Sequence, residues 1–169
     1  MTTSPSNPRV AAIQQDVQQS YDALNRLIDG PLAQLPAEKL YQSPGNDEWT
    51  IMENLAHIVE FMPYWGDQIA NLVAHPGQNF GRVQTDERRL KAIRDHAHDS
   101  LAQIKSLLPP SYAHLQEVLS NLHDSDLELT GVHSRYGEKP LAWFMNDFVT
   151  GHLRAHLTQM QSALDAFAP

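Results

Sequence analysis

Two things are scarce in this sequence of 169 residues, and each shortage excludes a class of protein. There is no cysteine, so the chain can form no disulfide, no thiolate nucleophile and no cysteine-based zinc site. Basic residues are few: 12 Lys and Arg against 20 Asp and Glu give a net charge of −8, with no basic cluster for nucleic acid or an anionic membrane. Any metal site must therefore use histidine and carboxylate ligands.

Long apolar runs are also missing. No stretch approaches the roughly 18 apolar residues that a membrane helix needs. The opening residues, MTTSPSNPRV, contain no apolar segment of the kind found in secretory signals. We therefore expect no membrane association and a cytoplasmic location.

What the sequence contains is helical periodicity. After a polar tail, predicted to be flexible over residues 1–8, apolar residues recur at spacings of three and four, and strands are hard to find. The length suits one domain, predicted over residues 9–169. Four long helices are predicted, over residues 9–29, 50–74, 85–108 and 140–167. They indicate an all-α fold, an antiparallel four-helix bundle.

Proline, glycine and capping residues mark the predicted helix ends. The sequence DGP at residues 29–31 is expected to end the first helix, and Pro109 with Pro110 the third. Thr50, followed three residues later by Glu53, predicts a capping box at the start of the second. An extra short helix is predicted over residues 111–122, before a long link to the last helix.

The last predicted helix contains a pair of histidines that bears on function. In GHLRAHLTQM, His152 and His156 are four residues apart and continue an apolar line that runs from Leu141 to Gln159. Roughly 0.5 such pairs is expected by chance in this composition, so the spacing alone decides nothing. Their place on the line matters more, because two unpartnered imidazoles in an apolar seam are costly, whereas a shared cation can use both.

A third ligand is expected from the second helix. His57 lies at the edge of its apolar face, and Glu53 and Glu60, one turn to either side, can orient the imidazole or reach the metal. The alternative for each carboxylate is that it only caps or solvates the helix. His96 and His98 point to different sides of a charged helix and are expected to be solvated. Four others lie in or near loops without paired spacing: His75, His114, His123 and His133.

At these residues the chain resembles the DinB-like superfamily, four-helix bundles that hold a divalent metal with three histidines. The resemblance rests on a Trp followed by a helix with one His, in EWTIMENLAHIVEF, and on an apolar helix with HxxxH and a Gln, in YGEKPLAWFMNDFVTGHLRAHLTQM. It implies that His57, His152 and His156 are the metal ligands. Imidazoles suit Zn, Ni, Fe, Cu, Co and Mn without distinguishing among them.

The surroundings of this site are predicted less closely. Trp49, Tyr64 and Gln159 are candidates for the pocket or for contacts with the ligands, although aromatic residues at bundle ends are more often core. Residues 109–122 make the link before the last helix longer than is usual in the family, and they are candidates to cover or reshape the pocket. Other catalytic motifs are absent: there is no glycine-rich phosphate loop and no GxSxG, and HLRAH lacks the Glu of a zincin helix.

Three histidine ligands leave a position open for water or substrate, as in catalytic metal sites. Characterised relatives in the family include thiol-dependent S-transferases and a maleylpyruvate isomerase that uses low-molecular-weight thiols. The resemblance therefore implies a metal-dependent enzyme, such as a low-molecular-weight-thiol S-transferase acting on a small-molecule substrate, with the thiol as a second cofactor. Two alternatives stay open: a metal-dependent hydrolase, and a non-catalytic stress-response bundle that binds metal or a small molecule.

The oligomeric state is also predicted. Relatives are often dimers, and Phe80 and Phe144 are expected to be exposed apolar residues that pair two copies across a two-fold interface. We therefore expect a homodimer.

Overall fold

The computed structural model describes residues 7–167, and helices make up most of them. The α-helices are α1 (Pro8–Leu27), α2 (Ile51–Ala74), α3 (Glu87–His96), α4 (Leu101–Ser120), α5 (Leu141–Met145) and α6 (Gly151–Phe167). Two strands, β1 (Thr130–His133) and β2 (Gly137–Pro140), form an antiparallel hairpin between α4 and α5. Residues 1–6 of the predicted tail lie outside the described residues, and α1 already begins at Pro8.

Helix α2 lies at the centre of the bundle. It packs against α3, α4 and α6, while α1 contacts α4 and α6. Its buried residues lie on several sides of the helix, because neighbours cover it from more than one direction. Within residues 7–167, however, no helix combines the length and hydropathy needed to cross a bilayer. The predicted all-α four-helix bundle is confirmed.

The start of α2 follows the predicted capping box. Thr50 Oγ1 accepts a hydrogen bond from the backbone N–H of Glu53 at 3.0 Å, and Glu53 Oε2 accepts one from the N–H of Thr50 at 2.8 Å. Two backbone donors at the helix end are thereby satisfied. The carboxylate of Glu53 is thus used in capping, which is the structural role weighed for it from the sequence.

The first helix does not end at residues 29–31, so that prediction is wrong. The chain continues as a π-helical turn over Ile28–Leu32, with Pro31 inside it. Ile28 and Leu32 are both almost completely buried. Their packing in the core keeps this segment helical although glycine and proline normally favour a break.

The predicted helix over residues 85–108 is two helices. α3 ends at His96, and α4 begins at Leu101 after Ser100, which forms its own capping box with Gln103. The backbone N–H of Gln103 donates to Ser100 Oγ, and the Gln103 side chain accepts from the N–H of Ser100. Ser100 therefore starts a new helix, a signal that the continuous apolar spacing concealed.

Pro109 and Pro110 do not end α4, and residues 111–122 do not form a separate helix. α4 runs through both prolines to Ser120. Four fully buried leucine and isoleucine side chains lie along it on both sides of the prolines: Ile104, Leu108, Leu115 and Leu119. Their packing offsets the loss of backbone hydrogen bonds at the prolines. The long link to the last helix begins later, and contains a 3₁₀ helix (Asp124–Glu128) and the β-hairpin.

The hairpin was missed because its strands are only four residues long, too short for a clear alternation. Its turn ends at Gly137, whose φ of 71° is readily adopted by glycine. The hairpin covers an aromatic cluster that includes Phe80 and Phe144, whose ring centroids are 4.2 Å apart. Both phenylalanines are buried within the chain, so the prediction that they are exposed is wrong, and the homodimer itself stays a prediction.

Candidate metal centre

Helices α2 and α6 bring together the three histidines predicted as ligands. Nε2 of His152 lies 3.0 Å from Nε2 of His57 and 3.1 Å from Nε2 of His156. One ligand atom from each residue lies within 4.8 Å of the other two. In the described part of the chain, this is the one group of three or more histidine or carboxylate side chains clustered so closely. We refer to His57, His152 and His156 as the histidine triad.

The last helix reaches the triad through a π-helical turn, Asn146–Thr150, which ends two residues before His152. The backbone N–H of Gly151 donates to the carbonyl oxygen of Asn146, five residues earlier. A Cβ atom at Gly151 would lie 2.6 Å from that oxygen, so the turn requires glycine there. The extra residue interrupts the apolar line predicted from Leu141 to Gln159. His156 is buried, whereas His152 is half-buried and faces a cavity.

The tautomer of His156 is set by Asn54 of α2. The side-chain amide nitrogen of Asn54 donates to the carbonyl oxygen of Thr50 at 2.9 Å, so its Oδ1 atom faces the imidazole. His156 Nδ1 lies 2.7 Å from that oxygen and must carry the proton. Nε2 of His156 therefore presents a lone pair to the triad.

Glu60 lies beside Nδ1 of His57, as Asn54 lies beside Nδ1 of His156. Its Oε2 atom lies 3.3 Å from His57 Nδ1, although the angle does not make a hydrogen bond, and neither atom has another partner within residues 7–167. Its other oxygen pairs with Arg82 at 2.5 Å. Arg82 in turn stacks on the ring of Tyr64, 3.7 Å from its centroid. Tyr64 thus supports the triad through Arg82 and Glu60, and does not line the cavity beside it.

Burial keeps the three imidazoles neutral. Desolvation, together with the neighbouring His152, lowers the pKa of His57 to about 2. The same two causes, with a further contribution from His57, lower the pKa of His156 to about 2. For His152, desolvation and the charges of Arg89 and Arg82 lower the pKa to about 4. At neutral pH all three nitrogens are therefore available as ligands.

A cavity of about 500 Å³ opens beside the triad. Its lining includes His152, His156, Trp49 and Gln159, as the sequence predicted for the last two, together with Arg89 of α3. The Trp49 ring stacks on His156, with centroids 5.9 Å apart and planes 16° apart, and meets His57 edge-on at 5.4 Å. Trp49 therefore forms a wall that joins the triad to the cavity.

Three residues of the site were not predicted: Asn54, Arg82 and Arg89. Asn54 could have been recognised as a polar residue on the apolar face of α2, one turn before His57. Arg82 and Arg89 carry no such signal, because they come from the segment after α2 and from the separate helix α3. Their positions depend on long-range packing.

The remaining histidines stay apart from the triad. His98 is exposed, and His96 is half-buried beside Asp99, with Nδ1 2.7 Å from its carboxylate. His114 lies 2.8 Å from Asp67. His133 is buried in the aromatic cluster under the hairpin, where its Nδ1 accepts from the backbone N–H of Arg135.

Comparison with known proteins agrees with this architecture. The chain is similar to a solved structure, YfiT from Bacillus subtilis, which is described as a probable metal-dependent hydrolase with an unusual four-helix bundle topology. The match has a TM-score of 0.75 and 12% identity, and covers 96% of this chain and 90% of YfiT. No curated protein sequence matches significantly. The family model of the DinB superfamily matches residues 16–160. The chain therefore belongs to the DinB superfamily.

Proposed function

We propose that this protein is an enzyme that depends on a divalent metal ion held by the histidine triad and acts on a small molecule bound in the adjoining cavity. The observation that carries the proposal is the facing arrangement of the three Nε2 atoms, 3.0 and 3.1 Å apart. A proton on the His152 nitrogen can satisfy only one of these two contacts. The imidazole nitrogen at the other contact is left as a buried lone pair without a donor, and a shared cation satisfies it.

The donor set fits such an ion. Three neutral imidazoles are ligands for Zn, Ni, Fe, Cu, Co or Mn, and no carboxylate joins the cluster within residues 7–167 to favour Mg or Ca. Asn54 holds the proton on the outer nitrogen of His156, which aims the inner nitrogen at the shared point. The chain thus supplies at least one ligand, His156, whose direction is fixed before binding.

The side chains around the triad exclude water on one side and admit a ligand on the other. Phe61 covers it from within the bundle, with its ring centroid 5.0 Å from that of His152. Trp49 covers His156, and the cavity begins beyond it. A small molecule can therefore approach from the side of α3, where Arg89 and Gln84 line the cavity.

A divalent ion held by the histidine triad would supply Lewis acidity, which would lower the pKa of a thiol or of water at the open position. The oxygens of Glu60 face Arg82 and His57, so this carboxylate is not placed to take a proton from a ligand in the cavity. A thiol, with an ordinary pKa of about 8.5, needs less help to ionise than water, whose pKa is about 15.7. This difference supports a low-molecular-weight-thiol S-transferase as the first candidate.

Metal-dependent hydrolysis is the second candidate. It is favoured by the similarity to YfiT and by Asp47 and Glu48, two exposed carboxylates that line the cavity and can accept a proton from water. The third possibility, a bundle that binds metal without catalysis, is an outcome of the test below.

The test compares the two reactions on the same metal-loaded protein. Thiols with an electrophilic partner are assayed beside simple esters and amides, after the bound metal has been identified by elemental analysis. We expect thiol consumption that disappears on chelation and returns when the metal is restored. Ester or amide cleavage with the same dependence would favour the hydrolase instead. If the metal-loaded protein shows no activity in either assay, the proposal of an enzyme is overturned, and a bundle that only binds metal remains.

A matched pair of variants separates the site from general effects. His152→Ala removes a triad member that faces the cavity, and His114→Ala removes a surface histidine of another helix. Only the first should abolish activity. Equal activity in the two variants would contradict the proposed site.

A further inference from the structure

Two arginines approach the triad, and they differ in what they bind. Arg82 is largely buried and lies between two carboxylates, at 2.5 Å from Glu60 and 3.8 Å from Asp86. Arg89 lines the cavity and donates one hydrogen bond from its side chain, to the carbonyl oxygen of Gln84 at 2.8 Å. Within residues 7–167 no carboxylate pairs with it. A guanidinium has five N–H donors, so most of the Arg89 donors have no acceptor among the described residues.

The position of Arg89 is fixed by its surroundings. Its backbone N–H donates to Asp86 Oδ1 at 3.0 Å at the start of α3. Its guanidinium carbon lies 5.1 Å from the centroid of the Trp49 ring, and the same ring stacks on His156. One aromatic side chain therefore links the half-buried cation to the triad. This cation is held at one wall of a cavity that has the proposed metal position at another.

We infer that Arg89 is the specificity residue of this cavity and that it binds a carboxylate on the small molecule whose other end reaches the histidine triad. A guanidinium presents paired donors that match the two oxygens of a carboxylate, and partial burial strengthens that pairing. The inference rests on the proposed function, because the triad's ion must hold the other end of the same molecule. It adds the chemical class: a thiol that carries a carboxylate.

Other charges around the cavity set the strength of this preference. Arg82 repels the Arg89 cation, whereas the carboxylates of Glu60 and Asp86 attract it without pairing with it, so a carboxylate from solution would be the direct partner of Arg89. Asp47 and Glu48 also line the cavity but are exposed, so solvent screens them. The remaining polar residues of the lining are uncharged: Gln84, Thr158, Gln159 and Ser162. Arg89 is therefore the one cationic side chain of the described lining.

The test uses pairs of thiols of equal length, in which one member carries a carboxylate and the other a neutral amide. Mercaptoacetate, 3-mercaptopropionate and 4-mercaptobutyrate are titrated calorimetrically into the metal-loaded protein, each beside its neutral amide. The three lengths are needed to find the one that spans from the triad to Arg89. At that length we expect the carboxylate to bind about tenfold more tightly than the amide.

Variants of Arg89 test whether this residue causes the preference for a carboxylate over an amide. Arg89→Gln should reduce the ratio between carboxylate and amide to about one, whereas Arg89→Lys, which keeps the charge but not the paired donors, should give an intermediate ratio. Arg88→Gln is the matched control, because Arg88 is the neighbouring arginine, exposed and outside the cavity lining. Metal content and circular dichroism verify that each variant is folded and loaded.

The outcomes separate this inference from the proposed function. If the amides bind but no carboxylate is preferred, or if the preference survives in Arg89→Gln, the inference is overturned while thiol binding stands. If neither carboxylates nor amides bind the loaded protein, thiol use and the inference fall together.

Discussion

Two groups of histidines in this protein lie in contrasting surroundings. Outside the core, His96, which is half-buried, and His114 each lie beside a single aspartate, at 2.7 Å from Asp99 and 2.8 Å from Asp67. Inside the bundle, the histidine triad has ring nitrogens that face one another, and no carboxylate joins the group within the described residues. A surface ring thus has an acceptor of its own, while the buried rings leave lone pairs that only a proton or a cation can satisfy.

The largest effect should come from removing one member of the triad. Purified wild-type protein is expected to carry close to one equivalent of divalent metal, and His152→Ala or His156→Ala should lose most of it, because two imidazoles hold an ion far more weakly than three. Elemental analysis after gel filtration measures this. His96→Ala and His98→Ala are the controls and should keep full occupancy. Equal metal in wild type and in a triple alanine variant of the triad would contradict the comparison.

The second largest effect should be a dependence of stability on pH that comes from the buried histidines. Burial lowers the pKa of His57 and His156 to about 2 and that of His152 to about 4, whereas unfolded histidines titrate near 6.5. Below about pH 6.5 the three histidines become protonated in the unfolded chain but stay neutral in the folded protein. The free energy of unfolding is therefore highest above that pH, and falls toward pH 4 by up to about 1.4 kcal/mol per pH unit for each histidine.

Urea unfolding of the metal-free protein between pH 4 and 7 measures this dependence. A variant with leucine at all three triad positions is the control and should show a shallower decline. Arg82, Arg89 and Glu60, the charged groups near the triad, are unchanged in that variant. Identical slopes for the two proteins would show that the triad is not the source of acid sensitivity.

A smaller effect is expected from Asn54, which supports the triad without belonging to it. Asn54→Leu removes the acceptor for His156 Nδ1, so the ring loses its fixed tautomer, and metal affinity should fall by about 10- to 100-fold. Asn25→Leu is a matched control, because Asn25 makes the same side-chain bond to a carbonyl oxygen four residues earlier but touches no histidine. Competition with a chromophoric chelator measures both. Equal affinity in the two variants would contradict a role for Asn54 in orienting the ligand.

Local patterns were sufficient for much of this fold and for the two triad members on the last helix. The capping box of Thr50 and Glu53 was predicted correctly because its signal lies within four residues. The four-helix bundle was predicted correctly because the amphipathic periodicity extends over long segments of the sequence. His152 and His156 lie on one helix, so their proximity follows from helix geometry alone.

Long-range contacts account for what could not be predicted. The bond between Asn54 and His156 joins residues 102 positions apart, and no local pattern reports it. Pro109 and Pro110 were expected to end a helix, but α4 continues through them because its apolar residues pack against α2. Phe80 was expected at the surface, and is buried by a hairpin that the sequence did not reveal. In each case tertiary packing outweighs a local preference.

The smallest effect should be found at the surface. His114 and Asp67 join α4 to α2, but their side chains are 41% and 71% exposed. Solvent and salt screen such a pair, so a double-mutant cycle with His114→Ala and Asp67→Ala should give a coupling energy below about 1 kcal/mol, which decreases further at high salt. The same variants should leave metal content unchanged. A coupling of several kcal/mol, or a loss of metal from His114→Ala, would mean that the surface and buried histidines are not distinct in the way their surroundings indicate.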